Sequence, residues 1–414
     1  VAMMNRKIDD RFRYAYKFRI YPNKEQEILI NKTFGCCRYI YNGLLADAQK
    51  QYEETGKSKI ASYKSLYTEE NETWLKEVDS IALSNIQQHL KEAYKNHFAN
   101  IKKGEYRELR FKSKYNRNKS YTTNNNSTAK RKTKSIEIQG NYLKLPKLGL
   151  VRCVFHREVI GDIKSVTISK NPSGEYYVSI LVARNPEDEP QKLPKTNKKI
   201  GVDVGKKSYA TMSDGSEIEK QQWLIDCDKK IAKLQRELAR KEKGSKNWEK
   251  TRIKLAKAYQ HKSNKMDYFL HNVTTKLIRE NDVIAVENLS IAKNKKSMVR
   301  TDKKQGQTNK ERQKENHDTM NMSWYKFRQM LTYKSVWYER VLVVAQNTYA
   351  SSQICNKCGY KNSITKDVAV RKYICPECGA VHDRDLNASI NLINLYNNKD
   401  IENIDESASV NLQL

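Results

Sequence analysis

The chain has 414 residues, of which 38% are hydrophobic, a size that accommodates two or three domains and excludes a single small module. Its 78 Lys and Arg against 48 Asp and Glu give a formal net charge of +30, which predicts a polyanionic partner because each neutralised phosphate releases a counterion. No apolar run reaches the roughly 18 residues of a membrane span and no secretory signal is present, so we expect a soluble, cytoplasmic protein without a membrane partner.

A half-buried strand is the first predicted element. Within Arg13–Tyr21, large apolar or aromatic residues alternate with small or basic ones, the pattern of a strand with one buried and one basic face. Directly after it, Asn23 with Gln26 predicts a capping box that begins a helical region. This region extends to about residue 100, with breaks expected near Gly56 and Ser84.

Residues 102–135 are rich in Lys, Arg, Asn and Ser and hold too little apolar surface to pack on their own. Two interpretations stay open, a solvated loop and a loop ordered by nucleic acid. Further along, two strands flank the turn Asn171–Gly174 and predict a hairpin. The first 190 residues therefore predict a β-rich module interrupted by a helical insertion.

A new domain is predicted after residues 186–199, whose Pro and charged residues are typical of a linker. The buried strand Ile200–Gly205 begins this domain. A second strand follows at Tyr209–Met212, and then two long lysine-rich helices, one around Ile231–Leu238 and one at Trp248–Glu280. After these come a third strand at Val283–Val286, a helix at Trp324–Tyr338 and a fourth strand at Val341–Ala345. This order predicts an α/β domain with a mixed sheet.

Four cysteines are spaced as the ligands of a zinc ribbon. Two Cys-x-x-Cys pairs, each followed by glycine, are separated by 16 residues (375 − 358 − 1): Cys355, Cys358, Cys375 and Cys378. Because thiolates would fill all four positions, this zinc is structural and does not activate water. His382 is expected to lie at the surface rather than to bind the metal. The other cysteines are expected to be free, in a reducing compartment: Cys36, Cys37, Cys153 and Cys227.

Three acids are predicted at strand or helix ends in the second domain: Asp203, Glu287 and Asp385. Each alone could equally be a helix cap or a solvent-facing carboxylate. A charge at the end of a buried strand is costly unless it is paired or binds a cation. If the three converge at one end of the sheet, they would hold two Mg²⁺ about 4 Å apart, the arrangement used in phosphodiester cleavage.

Short motifs around these acids match successive signatures of one family. They are Gly201–Gly205, Ser213–Gly215, Val286–Leu289, Ser351–Gln353 and Asp383–Ala388, preceded by the N-terminal motifs Tyr21–Gln26, Arg38–Asn42 and Phe111–Lys114. As a set, covering nearly the whole chain, they resemble the TnpB proteins of insertion sequences, which are relatives of type V CRISPR effectors. Each motif alone would be a weak signal.

The resemblance implies an RNA-guided DNA endonuclease. Such a protein binds a structured guide RNA from its own element and cuts matching double-stranded DNA beside a short duplex motif, through one RuvC-type site. By matching positions, the catalytic acids and magnesium ligands are Asp203, Glu287 and Asp385, with Asp383 the less favoured third ligand. The order Asp, Glu, Asp fits RuvC better than the Asp, Asp, Glu order of integrase-like transposases.

The resemblance also implies a multidomain α+β architecture. In the first part of the chain, a β-barrel-like module (1–30 and 102–190) carries a helical recognition insertion (31–101). In the second part, an RNase H-like (RuvC) α/β domain (196–349 and 380–398) carries an inserted zinc ribbon (350–379). A solvated tail (399–414) follows this domain. Nucleic-acid contacts are expected from Gln87, Gln88, Lys112, Lys114, Thr123 and Asn124. The basic tract Lys293–His317 is expected to be a mobile lid or a disordered loop.

Three other functions are compatible with parts of this pattern. A miniature type V CRISPR effector shares all the motifs and differs mainly in the origin of its guide. An RNA-guided repressor that binds DNA without cutting it is disfavoured because all three acids are retained. A zinc-ribbon transcription factor would leave the β module and the acid-bearing sheet without a purpose.

Overall fold

The computed structural model describes residues 13–412, except positions 58, 103, 105, 107, 117, 126–133, 185–191, 206, 289–321 and 368. The predicted tract Lys293–His317 and part of the predicted linker therefore lie outside the described residues. The chain forms two compact units, Val1–Glu189 with Arg252–Lys257, and Pro190–Thr251 with Ala258–Leu414. Within the described part of the chain, no helix combines the length and apolar character needed to cross a bilayer.

A seven-stranded antiparallel sheet forms the centre of the first unit. Its order is β2-β6-β7-β1-β5-β4-β3, with β1 Arg13–Tyr21, β2 Lys119–Asn124, β3 Glu137–Gln139, β4 Tyr142–Leu145, β5 Gly149–Val154, β6 Asp162–Lys170 and β7 Tyr176–Ala183. The alternation predicted for β1 is confirmed, since its exposure alternates residue by residue along the strand. The strand pairs with β7 from Arg13 to Ile20 but with β5 only over Arg19–Tyr21, so the sheet curls around β1.

The described residues between β1 and β2 form three α-helices, α1 Lys24–Thr55, α2 Glu69–Glu77 and α3 Ser80–Lys102, and one short 3-10 helix, Tyr63–Leu66. The predicted capping box is present, because the Asn23 side chain accepts from the Gln26 N–H at 2.8 Å and the Gln26 side chain accepts from the Asn23 N–H at 3.0 Å. Helix α1 ends at Gly56 in the left-handed conformation. The break expected near Ser84 lies instead at Asp79, which accepts from the Ile81 N–H at 3.0 Å.

The second unit contains the predicted mixed sheet. Its order is β10-β9-β8-β11-β12, with β8 Lys199–Val204, β9 Ser208–Met212, β10 Glu217–Glu219, β11 Val283–Val286 and β12 Val341–Val344. The pairs among β8, β9 and β10 are antiparallel, whereas β11 is parallel to both β8 and β12. The α-helices among the described residues of this unit are α4 Gln222–Ala239, α5 Lys246–Glu280, α6 Trp324–Trp337 and α7 Arg384–Asn397.

Both faces of this sheet are covered, which explains why β11 is apolar throughout. Ile284 and Val286 pack in a core that includes residues of α5 and α6. Val283 and Ala285 point to the opposite face, into a cluster with Leu392 of α7. A strand buried on both faces lacks the polar alternation seen in β1.

The acidic C-terminal segment was predicted to be a solvated tail, and this prediction is wrong. Val410 forms an antiparallel bridge with Leu342 of β12, and Ile404 forms one with Ala345. Ile404 is 2% exposed and packs in the same apolar cluster as Leu392 of α7. Apolar residues scattered among the acids thus cover the free edge of β12, and a covered edge is protected from pairing with other chains.

Candidate metal and acidic sites

The four cysteines of the predicted ribbon lie together. Their Sγ atoms are all within 4.8 Å of one another, with 3.7 Å between Cys355 and Cys378 and 3.6 Å between Cys358 and Cys375. Tetrahedral zinc with bonds of about 2.3 Å requires sulfur separations of about 3.8 Å. The donor set and its spacing therefore fit one structural zinc ion.

Each Cys-x-x-Cys turn is closed in the same way. The N–H of Gly359 donates to the Cys355 carbonyl, and that of Gly379 donates to the Cys375 carbonyl, both at 2.9 Å. Both glycines have positive φ, 78° and 69°, a conformation that disfavours residues with a Cβ. The glycine after each pair is thus required by the turn that aims the two thiols.

The prediction that His382 lies at the surface is wrong. Its side chain is buried on β14 (Val381–Asp383), which pairs with β13 (Lys372–Ile374). The Nε2 atom is 3.0 Å from Cys355 Sγ, and the ring packs 5.2 Å from that of Tyr373. Burial lowers the pKa of His382. The histidine is therefore a neighbour of the sulfur cluster within hydrogen-bonding range of one thiol.

The acids Asp203 and Glu287 emerge at the same end of the sheet. They follow Val202 and Val286, which are paired residues of the parallel strands β8 and β11. Asp385 lies in the first turn of α7. Burial raises the pKa of Asp203, and the nearby carboxylates of Glu287 and Asp385 raise it further. Three carboxylates that repel one another and are partly removed from water form a negatively charged site, and a bound cation would relieve their repulsion.

The pKa of Glu287 is also raised, mainly by burial, with Asp385 adding to the shift. Its Oε1 accepts a hydrogen bond of 2.6 Å from the Ser351 hydroxyl, which favours the ionised form. The two strand-end acids are thus held differently. The pKa of Asp203 is set mainly by burial and by repulsion from the other two carboxylates, whereas the Glu287 carboxylate also has a hydroxyl hydrogen-bond donor, Ser351.

The three carboxylates are near one another, but their oxygen atoms do not all lie within 4.8 Å of one another. Among the described residues, the cysteine set is the one group of three or more potential ligands whose donor atoms all lie within 4.8 Å. Asp385 instead accepts two hydrogen bonds from Arg371, at 3.0 and 3.2 Å. Asp383 caps α7, accepting from the N–H groups of Asp385 and Leu386.

Sequence reasoning missed Arg371, the contact of Ser351 with Glu287 and a polar group beside Glu287. In that group, Asn288 donates to Asp405 at 2.7 Å, and Arg328 donates to Asn288. A small cavity beside Glu287 is lined by Val204, Val286, Trp324, Phe327 and Arg328. The motifs Val286–Leu289 and Ser351–Gln353 marked two of these positions, but no spacing rule connects Arg371 with Asp385.

The predicted nucleic-acid contacts lie in the first unit and differ in accessibility. Gln88, Lys112 and Lys114 are exposed, and the amino group of Lys112 lies 4.1 Å from the centre of the Tyr41 ring. Gln87 is half-buried and accepts from the Tyr63 N–H. Asn124 exchanges side-chain hydrogen bonds with Asn85. Thr123 is 1% exposed, so its side chain offers no surface contact in this conformation.

Three family models match the chain. The model described as a probable transposase, of the OrfB_IS605 family, matches residues 179–298. A helix-turn-helix domain model matches residues 12–57, and a Cas12f1-like TNB domain model matches residues 324–392. The last match spans α6, β12 and the four cysteines.

Two relatives are similar over nearly the whole chain. A Streptomyces pristinaespiralis protein named "Putative RNA-guided DNA endonuclease" is 30% identical over 390 residues, covering 92% of this chain and 88% of the relative. InsQ of Escherichia coli K12, which carries the same description, is 29% identical over 384 residues, covering 92% and 91%.

A solved chain from the cryo-EM structure of a Cas12f1–sgRNA–target DNA complex superposes with a TM-score of 0.54. The identity is 13%, and the superposition covers 92% of this chain and 98% of that chain. The two chains therefore share a fold. Given this fold, the matching family models and the 30% identity to the Streptomyces relative over most of both chains, the chain belongs to the TnpB family.

Proposed function

We propose that the chain is an RNA-guided DNA endonuclease that cuts target DNA beside a short duplex motif, with Asp203, Glu287 and Asp385 as its catalytic acids. The observation that carries this proposal is the placement of Asp203 and Glu287 at the ends of paired parallel strands, with Asp385 close enough to raise the pKa of Asp203. The names of the two curated relatives support the same activity.

The second unit supports an RNase H-like, RuvC-type assignment. Three antiparallel strands are followed by two strands parallel to the first, and α7 returns across β8 after the ribbon. The cysteine ribbon is inserted between β12 and α7, where the resemblance places it. The curled sheet and three helices of the first unit support a β-barrel-like module with a helical recognition insertion.

The chemistry of the three acids fits magnesium. Carboxylate oxygens are the ligands that Mg²⁺ prefers, and the repulsion that raises the pKa of Asp203 is relieved by a bound cation. Two Mg²⁺ ions, when bound, would activate the attacking water and stabilise the leaving oxygen. Asp203 and Glu287 would hold them from the sheet and Asp385 from α7, while Arg371 holds the Asp385 carboxylate in place.

The partners proposed are a structured guide RNA from the protein's own element and double-stranded target DNA. The formal charge of +30 supports a large phosphate-binding surface, and Gln88, Lys112 and Lys114 are exposed for contact in the first unit. The zinc proposed for the cysteines is structural, because four thiols leave no open coordination position. A CRISPR-associated origin of the guide would leave this chemistry unchanged.

The test begins with the RNA that copurifies with the protein. Sequencing it identifies the guide, and the complex is then given Mg²⁺ and plasmids that place a guide-matched target beside randomised flanking sequence. We expect cleavage of matched plasmids that share one flanking motif. Binding to matched DNA without cleavage would instead favour the repressor, and recovery of no discrete RNA would contradict guided activity altogether.

A further inference from the structure

The motif Ser351–Gln353 contains a buried hydroxyl aimed at one of the three acids. Ser351 is 2% exposed, and its Oγ donates to Glu287 Oε1 at 2.6 Å. A hydroxyl donating to a carboxylate at this distance makes a strong, charge-assisted hydrogen bond. This contact selects one orientation of the Glu287 carboxylate from those its side-chain torsions allow.

Ser351 is itself fixed by helix α7. The Asn391 side chain, 3% exposed, donates to the Ser351 carbonyl at 2.8 Å and to the Ile354 carbonyl at 2.6 Å. The Asn391 amide group thus makes both of its donor hydrogen bonds to one short segment, Ser351–Ile354. A buried amide with two well-placed acceptors is costly to disrupt, so the segment and α7 keep one relative position.

A second amide of α7 joins the same segment to the first cysteine turn. Asn387, 1% exposed, donates to the Ile354 carbonyl at 2.7 Å and accepts from the Asn356 N–H at 3.0 Å. Its two bonds therefore fall on either side of Cys355. Because α7 also carries Asp385, one hydrogen-bonded unit contains the first zinc turn, Ser351 and the third acid.

We propose that Ser351 is a positioning residue that orients Glu287 for metal binding, and that Asn391 and Asn387 hold it in register with α7 and the cysteine ribbon. The proposal rests on the function proposed above. Partners that orient metal ligands from outside the coordination sphere typically change metal affinity or activity by about 10–100-fold when removed. Ser351 has the geometry of such a partner, since it touches the ligand and is itself held by two other elements.

The test compares Ser351→Ala with Ser351→Thr, which keeps the hydroxyl, and with Ser363→Ala, which removes an exposed hydroxyl between the two cysteine pairs. Mn²⁺ binding to the full chain is measured by electron paramagnetic resonance, and target cleavage by the RNA-loaded chain is measured in single turnover over a range of Mg²⁺. We expect Ser351→Ala to weaken Mn²⁺ binding and slow cleavage about 10–100-fold. Ser351→Thr should recover most of both, and Ser363→Ala should match the parent.

Zinc content and far-UV circular dichroism separate positioning from folding. The proposal requires that Ser351→Ala keep the parental zinc content and spectrum, and loss of zinc would assign the hydroxyl to the ribbon alone and overturn it. Parental Mn²⁺ affinity in Ser351→Ala would overturn it equally. If the parental complex cuts no DNA, the proposed function fails, but the Mn²⁺ comparison still decides whether Ser351 orients Glu287.

Discussion

Gly201 of β8 lies directly against the backbone of Ser389 in α7. A Cβ added at Gly201 would stand 1.9 Å from the Ser389 carbonyl oxygen and 2.9 Å from its carbonyl carbon. No side chain fits between these two elements. The close approach brings α7, and with it Asp385, across the strand that ends in Asp203 and Val204.

We predict that Gly201→Ala separates α7 from β8. The backbone of α7 has to move to admit one methyl group, and such overpacking costs about 1–3 kcal/mol or more. Cleavage should fall with stability, because Asp385 moves away from Asp203. Unfolding by urea and plasmid cleavage measure the two effects. Gly35→Ala in α1 is the control, since a Cβ there meets nothing within 4 Å, and parental behaviour of Gly201→Ala would contradict the argument.

A second prediction concerns the three acids. Asp203→Ala, Glu287→Gln and Asp385→Ala should each lower cleavage of guide-matched DNA by orders of magnitude, because each would remove a ligand of the metals that stabilise the transition state. Double changes should add little to a site that is already disabled. Gel-shift binding to the target should persist, since phosphate contacts and base pairing lie elsewhere.

Asp383→Ala is the internal control for these acids. Its carboxylate caps α7 through the N–H groups of Asp385 and Leu386, and loss of such a cap costs about 1 kcal/mol. A milder loss of cleavage is expected than for Asp385→Ala. Cleavage at the parental rate by Asp203→Ala would reject the assignment of this carboxylate as a catalytic metal ligand.

Features determined by neighbouring residues were predicted from the sequence, and features determined by distant ones were not. The alternation in β1 and the capping box at Asn23 depend on a few adjacent residues, and both are present. The cysteine spacing likewise predicted four thiols that meet. Local pattern also located the strands that end at Asp203 and Glu287, because a buried strand is an uninterrupted apolar run.

The missed features depend on which segments meet in three dimensions. Arg371 and Asp385 are 14 residues apart and are joined by the β13–β14 hairpin, which no local pattern pairs with a catalytic site. The acidic C-terminal segment was predicted from its charge, yet Ile404 and Val410 decide its position by covering β12. His382 was misplaced for the same reason, since its burial comes from Cys355 and Tyr373.

A third prediction is that one zinc ion binds per chain. Elemental analysis of the purified protein should give one zinc, and Cys375→Ser with Cys378→Ser should remove it, because two thiolates cannot hold a structural zinc in the absence of the others. Cys153→Ser is the matched control, as that cysteine is buried in the first unit and outside the cluster. Zinc retained by the double variant would reject the site.

A fourth prediction concerns the salt dependence of nucleic-acid binding. Each phosphate contact contributes about 0.7–0.9 to the slope of log affinity against log salt. Lys112→Gln with Lys114→Gln should therefore weaken binding evenly across sequences and lower the magnitude of the slope by up to about 1.8. Lys50→Gln is the control, because Lys50 is exposed on α1 with Glu54 3.9 Å away. An unchanged slope in the double variant would show that these lysines do not contact phosphate.

The last prediction arises from a buried lysine that the nuclease proposal does not use. Lys334 of α6 is 5% exposed, and its amino group donates to the His271 carbonyl and to the hydroxyls of Thr274 and Thr275, at 3.0, 2.7 and 2.7 Å. Burial, with a smaller contribution from the nearby charge of Arg279, lowers the pKa of Lys334 to about 8. The folded chain therefore releases this proton at a lower pH than the unfolded chain does.

Between pH 8 and about 10.5, the unfolded state binds more protons at Lys334 than the folded state, so this residue makes the free energy of unfolding rise with pH. The rise is on the order of 3 kcal/mol for a lysine shifted this far, and below pH 8 the contribution is constant. Lys334→Met should abolish it, so the stability of the parent relative to the variant increases from pH 8 to 10 in urea denaturation. Met330→Leu, on the same helix, changes no titratable group and should follow the parent. A parent and a Lys334→Met variant with parallel profiles would contradict the assignment, because a buried amino group that stays charged across this range adds no pH dependence.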